Sequence, residues 1–159
     1  CQSWRLKTLG IGTEMVKKQL QKTTPLKKIE VFDSYHLPNL EKQKSLIKKF
    51  QKKEIQALVA TPLILKFPLK TDIGIIVLAE QFLNFPDFQI YEKSFQRFFK
   101  FSQQTRRLFI QTFSPNLPFF NFLVNFSIDD FYKEELKLRK IFSYPPFSEL
   151  VTFIKNHRN

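Results

Sequence analysis

The stretch NLEKQKSLIKKFQKKEIQALVAT, at residues 39–61, joins a helix pattern directly to a strand pattern. Leu46, Ile47 and Phe50 recur at helical spacing, and Asn39 stands where a helix N-cap is expected. Residues 55–61 form a continuous apolar run of strand length, which is typical of a strand buried on both faces of a parallel sheet. This junction indicates an α/β fold.

The same alternation continues on both sides of this stretch. Strands are predicted at residues 28–32, 73–80 and 108–113, and the run at 73–80 is apolar enough to be buried on both faces. Helical segments separate these strands. Strand and helix therefore alternate, which favours an α/β fold with a mainly parallel sheet and right-handed crossovers.

Two further helices carry apolar stripes. Residues 90–102 place Tyr91, Phe95, Phe98 and Ser102 on one face. The other helix starts near residue 127, where two side chains have capping-box spacing and three apolar residues fall on one face. These five residues are Ser127 and Asp130 for the cap, and Phe131, Leu138 and Phe142 for the apolar face.

The composition is strongly basic. The 159 residues carry a net charge of +12 and a pI near 9.9, which favours a polyanionic partner such as DNA, RNA or an anionic membrane surface. Heavy use of Phe (20) with scarce Gly (3) is also what an AT-rich genome imposes, so codon drift is the alternative source of the charge.

Cysteine content and hydropathy limit the class of protein. One cysteine allows no internal disulfide and no complete zinc site. No apolar run approaches the roughly 18–20 residues that span a bilayer, and no signal-peptide pattern opens the chain, so we expect a cytoplasmic protein. Because the first residue is Cys1 rather than Met, we expect a piece of a longer or processed chain.

The segment GIGTEM contains two of the three glycines, Gly10 and Gly12. The dinucleotide fingerprint needs a third glycine where this chain has Met15, and no Gly-Lys-Ser/Thr follows, so neither a Rossmann nor a Walker A loop is present. The segment instead predicts a turn into a helix, with Thr13 as N-cap and Glu14 at the positive end of the helix dipole.

Acid–base and metal chemistry have little support. His36 and His157 have no neighbouring nucleophile or paired carboxylate at a telling spacing, so both are predicted to be solvated. Asp129 and Asp130 fit the first turn of a helix rather than a catalytic dyad. Metal ligation has no local support.

Two basic segments are candidates for phosphate contact. The stretch FQRFFKFSQQTRRLFI, at residues 95–110, interleaves four cations with phenylalanines, which permits base stacking or simply a helix core. The cations are Arg97, Lys100, Arg106 and Arg107. The outer face of the helix after Asn39 offers Lys42, Lys44, Lys48, Lys49, Lys52 and Lys53.

Several phrases, in chain order, resemble the second helicase lobe of the primosomal protein N′ family. GIGTEMVKKQL is similar to its G-x-G-T-E segment, and residues 46–66 are similar to its helix, strand and T-Q-M-x-x-K motif, matching at Thr61 and Lys66. IQTFSPNLP resembles its I-Q-T-x-x-P stretch, and FSYPPF resembles its G-Y-P-P-F ending. LNFPDFQIYEKSFQ resembles its L-N-x-P-D-F phrase, matching at Asn84, Pro86, Asp87, Phe88, Glu92, Phe95 and Gln96.

Two departures fall at ATP-coupled motifs of that family. After Lys66 the family continues with G-H-D-F-P, whereas this chain goes straight to Phe67 and Pro68. After Gln96 the family carries Q-V-A-G-R-A-G-R, whose arginines complete the ATP site, whereas RFFKFSQQTRR is shorter and lacks both glycines. Arg106 and Arg107 are the only candidates to replace those arginines as catalytic residues. The resemblance therefore implies a degenerate lobe.

The resemblance implies a RecA-like three-layer α/β domain at residues 10–126. A remnant of a zinc-binding insertion would precede it at residues 1–9, and residues 127–159 would start the C-terminal domain. Cys1 would bind zinc only together with upstream cysteines. ATP and zinc would be cofactors of a longer parent chain, and none is expected in this piece. The implied DNA-contacting residues are Thr61, Lys66, Lys48, Lys49, Arg97 and Lys100.

Three functions remain open at this point. The first is a DNA-binding lobe of a replication-restart protein without ATPase activity of its own, with forked or single-stranded DNA and restart proteins as partners. The second is the second lobe of an active ATP-dependent DNA helicase whose Walker A lobe lies upstream. The third is a basic module for RNA or for another protein.

Overall fold

The computed structural model describes residues 12–151 of the 159-residue chain. Six α-helices, four β-strands and one 3₁₀ helix follow one another within this range. In chain order they are α1 (Thr13–Thr23), β1 (Ile29–Phe32), α2 (Leu40–Gln51), β2 (Ala57–Ala60), the 3₁₀ helix (Pro62–Lys66), β3 (Thr71–Ile76), α3 (Glu80–Leu83), α4 (Ile90–Gln104), β4 (Thr105–Ile110), α5 (Pro118–Val124) and α6 (Ile128–Ile141).

Hydrogen bonding divides the strands into two pairs, and both pairs are parallel. β1 pairs with β2 from Ile29 opposite Ala57 to Phe32 opposite Ala60. α2 connects these two strands, as a parallel crossover requires. The predicted alternation of helices with parallel strands is thus confirmed.

The first pair is covered by apolar side chains from the surrounding helices. α1 packs against β1 and β2. Phe32 of β1, Ile47 of α2 and Leu69 form a small buried cluster, joined by half-buried apolar residues of the 3₁₀ helix. A lysine-rich α2 is therefore held by one apolar stripe while its remaining surface faces solvent.

The second pair supports a larger core. β3 pairs with β4 from Thr71 opposite Thr105 to Ile76 opposite Ile110. α4 packs against both strands, and α5 and α6 continue the packing beyond α4. The core is aromatic, and the rings of Phe95 and Phe131 stack with centroids 3.9 Å apart. This packing joins α4 to α6.

Three helices end with a non-glycine residue in the left-handed backbone region. Lys53, Phe126 and Ser143 follow α2, α5 and α6 with φ of 61°, 53° and 52°. After α2, the amide of Glu54 donates to the carbonyl of Lys49 over 3.0 Å, which completes a Schellman cap. Glycine normally occupies this position, so the scarcity of glycine has a conformational cost here.

All four predicted strands have different boundaries. The strands predicted at 28–32 and 55–61 are β1 and β2, which are shorter, and the burial predicted on both faces of the latter is wrong at Ala60, which is exposed. The strand predicted at 73–80 is β3, which ends at Ile76, because Leu78 adopts a φ of 51° and α3 begins at Glu80. Its predicted burial on both faces is wrong, since Ile73 and Ile75 are exposed. The strand predicted at 108–113 is β4, which begins three residues earlier, directly after α4.

Three predicted details of the helices are wrong. Gly12, not Thr13, is the N-cap of α1, and Thr13 is its first residue. Ser127 does occupy the N-cap position of α6, but its side chain makes no capping bond, so there is no capping box. Of the three apolar residues predicted on one face of α6, Phe131 is buried whereas Leu138 and Phe142 are exposed.

Candidate nucleic-acid interface

The outer face of α2 is the densest group of predicted DNA-contacting residues. Asn39 caps the helix as predicted, accepting a hydrogen bond from the amide of Lys42 over 3.0 Å, and the amide side chain of Gln43 donates to the carbonyl of Leu37 over 2.9 Å. These bonds and buried Ile47 fix which face points outward. The exposed face carries Lys42, Lys44, Lys48, Lys49, Lys52 and Lys53.

These lysines lack carboxylate partners among residues 12–151, because no ion pair within 4.0 Å includes any of them. α2 holds one glutamate against four lysines. Lys48 and Lys49 lie in its last turn, where cations interact favourably with the helix dipole. The face therefore carries positive charge that no carboxylate among residues 12–151 compensates within 4.0 Å.

A shallow groove of about 210 Å³ runs along the same helix. It is lined by Leu37, Lys42, Ser45, Leu46 and Lys49. Lys42 and Lys49 lie beside Leu37 and Leu46 in this lining. The aliphatic part of a lysine can lie along such apolar surface while its ammonium group stays in water. Such a surface suits a chain of phosphates better than a small apolar ligand.

Thr61 and Lys66 bracket the 3₁₀ helix that follows β2. The amide of Thr61 donates to the carbonyl of Phe32 over 3.1 Å, which brings Thr61 beside the carboxyl end of β1. The side chain of Gln104 donates to the carbonyl of Phe67 over 3.0 Å and ties this loop to the end of α4. Lys66 is exposed at the last position of the 3₁₀ helix.

Arg97 and Lys100 are exposed on the solvent side of α4. Phe95 and Phe98, between which Arg97 lies, are buried in the aromatic core. Phe99 and Phe101 are partly buried against the same core. The phenylalanines of α4 therefore belong to the core or pack against it, whereas Arg97 and Lys100 remain open to a nucleic acid.

Arg106 and Arg107 lie within β4 rather than at a helix end or in a loop. Both are exposed, and Arg107 stands opposite Ile73 of β3. Neither forms an ion pair with any residue from 12 to 151. Both arginines closely follow the end of α4, on adjacent positions of β4.

A polar cluster that the sequence did not predict joins α1 to the end of β1. The hydroxyl of Thr13 donates to Oδ2 of Asp33 over 2.8 Å. The backbone amide and Nδ1 of His36 both lie 2.8 Å from Oδ1 of Asp33, and Nε2 of His36 lies 3.1 Å from Oε1 of Glu14. His36 is exposed, as predicted, but it bridges two carboxylates, which the sequence did not predict.

Asp33 is buried within this cluster. Burial raises the pKa of its carboxyl, but the hydrogen bonds from His36 and Thr13 and the proximity of the imidazole lower it further, so the pKa lies below its ordinary value. The sequence gives one clue to the role of Asp33, which is its position directly after a buried strand. Polar groups often gather at the carboxyl ends of parallel strands. His36 follows Asp33 by only three positions, but Thr13 lies twenty positions before it, which no local pattern reveals.

Glu80 lies beyond the carboxyl end of β3, as Asp33 lies beyond the carboxyl end of β1. Oε1 of Glu80 accepts hydrogen bonds from the hydroxyl of Thr112 over 2.5 Å and from the amide of Phe113 over 2.7 Å. The Thr112 bond is the largest cause that lowers the pKa of Glu80 below its ordinary value. This carboxylate joins the start of α3 to the end of β4.

The segment from Phe88 to Gln96 forms a contact surface for α6. Nη2 of Arg139 lies 2.7 Å from Glu92 and 2.9 Å from Glu135, and its guanidinium sits 5.4 Å above the ring centre of Phe88. Burial alone would lower the pKa of Arg139, but the hydrogen bonds to both glutamates outweigh it and raise the pKa. Residues that carry the family resemblance therefore hold two helices together.

The remaining predicted groups have varied outcomes. Asp129 and Asp130 lie in the first turn of α6, as predicted. Cys1, Gly10 and His157 lie outside the described residues. Between residues 12 and 151, no three His, Cys, Asp or Glu side chains converge as metal ligands. Over the same range, no helix has both the length and the apolar character to cross a bilayer.

Sequence comparisons agree with this picture. No protein-family model matches the chain. A replication restart protein PriA of Borreliella burgdorferi is 32% identical over the whole chain, which corresponds to 25% of that protein. The chain is related to replication restart protein PriA. PriA proteins of Synechocystis and Thermotoga maritima are 29% and 28% identical over 95% and 93% of the chain, or 19% and 21% of their own lengths.

The resemblance predicted from the motifs is thus confirmed, and the match is consistent with a C-terminal region of PriA. The chain spans at most about a quarter of the PriA proteins that it matches. The similarity therefore covers one part of a PriA protein and does not extend to the activity of the whole protein.

Proposed function

We propose that this chain is a DNA-binding part of a replication-restart protein, and that the exposed lysine face of α2 is its main phosphate contact. The observation that carries the proposal is the local excess of charge. α2 has four lysines against one glutamate, whereas α6 has four carboxylates against four cations. The relationship to proteins named for replication restart supplies the choice of DNA as the polyanion.

Lysine ammonium groups on flexible stems suit the backbone of a nucleic acid rather than its bases. Phosphate contacts position a protein on DNA but carry no sequence information. We therefore infer binding with little base preference, in which Lys48 and Lys49 are the central pair and Lys66, Arg97, Lys100 and the loop at Thr61 extend the contact. Single-stranded and forked DNA are the proposed substrates, and other restart proteins are proposed partners.

The test is the salt dependence of binding, measured by fluorescence anisotropy with a labelled single strand. Each phosphate contact contributes about 0.7 to the slope of log affinity against log salt for a single strand. The double variant K48Q/K49Q should bind more weakly, and its slope should be smaller by about 1.4. A salt profile that is flat for the unmodified chain, or no binding at low salt, would refute the proposal.

The matched control is K133Q/K137Q, which removes the same charge from α6. Lys133 pairs with Asp130 over 3.2 Å and Lys137 with Glu134 over 3.5 Å. Because these lysines are already compensated, the control should leave affinity and slope nearly unchanged. Equal weakening by both variants would mean that only the total charge matters, not the face of α2.

We further propose that the two parallel strand pairs are parts of a RecA-like helicase lobe. In this proposal the lobe occupies residues 10–126, a remnant of a zinc-binding insertion occupies 1–9, and residues 127–159 start the C-terminal domain. Zinc at Cys1 and ATP belong to a longer parent chain. A replication-restart role would put that parent in the cytoplasm with the chromosome.

We also propose that the chain has no ATPase activity of its own. An arginine that stabilises a transferring phosphoryl group must be accurately placed, and its loss costs orders of magnitude in rate. Arg106 and Arg107, which are adjacent on β4 and therefore point to opposite faces, are poor substitutes in this respect. In a parent chain that contains a Walker A lobe, R106Q/R107Q should leave ATP hydrolysis unchanged, and a large loss would favour an active helicase lobe instead.

A further inference from the structure

One face of the β3–β4 pair is open. Gly74 and Ile76 point toward α4 and are buried, so the alternate residues of each strand point away from it. On that outer face Ile73, Ile75 and Phe109 are 60%, 55% and 54% exposed. Ile73 stands opposite Arg107 and Ile75 opposite Phe109, so the four side chains form one compact patch.

The composition of this patch is unusual for a solvated sheet face, which normally carries polar residues. It has three large apolar groups, one guanidinium and no carboxylate. Arg106 is also exposed but, as the strand neighbour of Arg107, points to the opposite face. The ring of Phe109 is the one large aromatic group that the stretch 95–110 leaves open, because Phe95 and Phe98 are buried and Phe99 and Phe101 are partly buried against the core.

Charge decides what can cover this patch. An apolar protein surface laid over Ile73 and Ile75 would also cover Arg107, whose charge would lose water without gaining a partner. A nucleotide provides a flat base for the ring of Phe109 and a phosphate for Arg107. These two residues are two positions apart on one strand, roughly 7 Å, a distance that one nucleotide can span.

We propose that this outer face, formed by Ile73, Ile75, Arg107 and Phe109, is a stacking site for unpaired bases of single-stranded DNA. A base lies on the ring of Phe109, Ile75 extends the apolar shelf beneath it, and Arg107 holds the adjoining phosphate. The site is separate from the lysine face of α2 and adds a preference for single strands over duplex, since paired bases are unavailable for stacking. It rests on the proposed DNA-binding function.

The experiment combines removal of the ring with removal of the base. F109L keeps an apolar side chain without an aromatic face, and the residue is exposed enough that the core is not altered. Binding is measured by anisotropy at fixed salt with three probes, which are an oligothymidine strand, an abasic strand of equal length and a blunt duplex. Base stacking on an aromatic side chain predicts a loss of roughly 5- to 150-fold for F109L on the oligothymidine strand.

The same variant should stay within about twofold of the unmodified chain on the abasic strand and on the duplex, where no base can stack. F85L is the matched control, because Phe85 is 66% exposed but lies on the loop between α3 and α4. It should bind all three probes normally. Equal weakening by F85L would overturn the proposal.

The result also separates this site from the proposed function. If F109L binds the oligothymidine strand normally while K48Q/K49Q binds it weakly, stacking on the sheet is refuted and phosphate binding by α2 stands. If the unmodified chain binds none of the probes, both proposals fail. If F109L weakens the abasic strand as much as the oligothymidine strand, the ring acts on something other than a base, and the stacking site is refuted.

Discussion

Replacing Arg139 by methionine should weaken the contact of α6 with α4 by removing the ion pair between the two helices. Arg139 has 11% of its side chain exposed, and its guanidinium contacts Glu92 and Glu135 at 2.7 and 2.9 Å. Methionine keeps a flexible stem of similar length over Phe88 but removes the charge. The variant R139M therefore isolates the electrostatic part of the contact.

The expected loss follows from what remains behind. Removing one partner of a buried ion pair costs about 3–5 kcal/mol, because the other charge stays buried without compensation. Glu135, with 9% of its side chain exposed, is in that situation, whereas Glu92 is 23% exposed and recovers some hydration. We therefore expect the lower end, about 3 kcal/mol, which corresponds to a fall in Tm of roughly 6–12 °C for a chain of this size.

Thermal and urea unfolding followed by circular dichroism at pH 7 measure this loss. K133M is the control, because Lys133 on the same helix pairs with Asp130 in an exposed position, where an ion pair contributes about 1 kcal/mol at most. A loss below 1 kcal/mol for R139M, indistinguishable from the control, would show that the network does not hold α6. If R139M does lose about 3 kcal/mol, the double variant R139M/E135L should recover most of that stability, since no buried charge would remain at position 135.

Three further changes test the backbone and the cluster at β1. G74A should cost about 1–3 kcal/mol in urea unfolding, because a Cβ there would overlap the side chain of Thr105 on the facing strand. G12A, with open space around its Cβ, should cost less, at most about 1 kcal/mol, because alanine is a poorer N-cap residue than glycine. K53G should raise stability by about 1 kcal/mol, since φ is 61° at this position, and an unchanged midpoint would contradict the strain. D33N should lower stability at pH 7, and because the folded pKa is depressed, its deficit should shrink as pH falls below about 4; a constant gap from pH 7 to 2 would rule out the hydrogen-bonded carboxylate as its source.

The sequence predicted those elements whose cause is local. The cap at Asn39 and the burial of Ile47 follow from side chains within a few turns of one another. The helix containing Phe95 and Phe98 was likewise predicted from its apolar stripe, although Tyr91, predicted on that stripe, is exposed. In each confirmed case the residues that decide the structure are sequence neighbours.

The missed features depend on distant residues. An apolar run such as 73–76 predicts a strand, but whether both faces are covered depends on what else packs there, and here α4 packs on one face while Ile73 and Ile75 on the other are exposed. The bridge from Glu14 through His36 to Asp33 needs α1 and the end of β1 to meet. The boundary at Thr105 arises because α4 passes into β4 without a loop, which no glycine or proline marks.

The distribution of charge bears on whether the basic composition is a product of codon drift. Codon drift would place lysines wherever the fold tolerates them, without regard to the acidic residues nearby. Drift alone gives no reason for carboxylates to accompany the lysines of α6 and not those of α2. Lys133 and Lys137 each have an acidic partner three residues away, whereas α2 has one glutamate, in its first turn, for four lysines. Such an asymmetry is what the proposed phosphate-binding face requires, and the comparison of K48Q/K49Q with K133Q/K137Q tests whether the lysines of α2 act as a local face or only through the total charge.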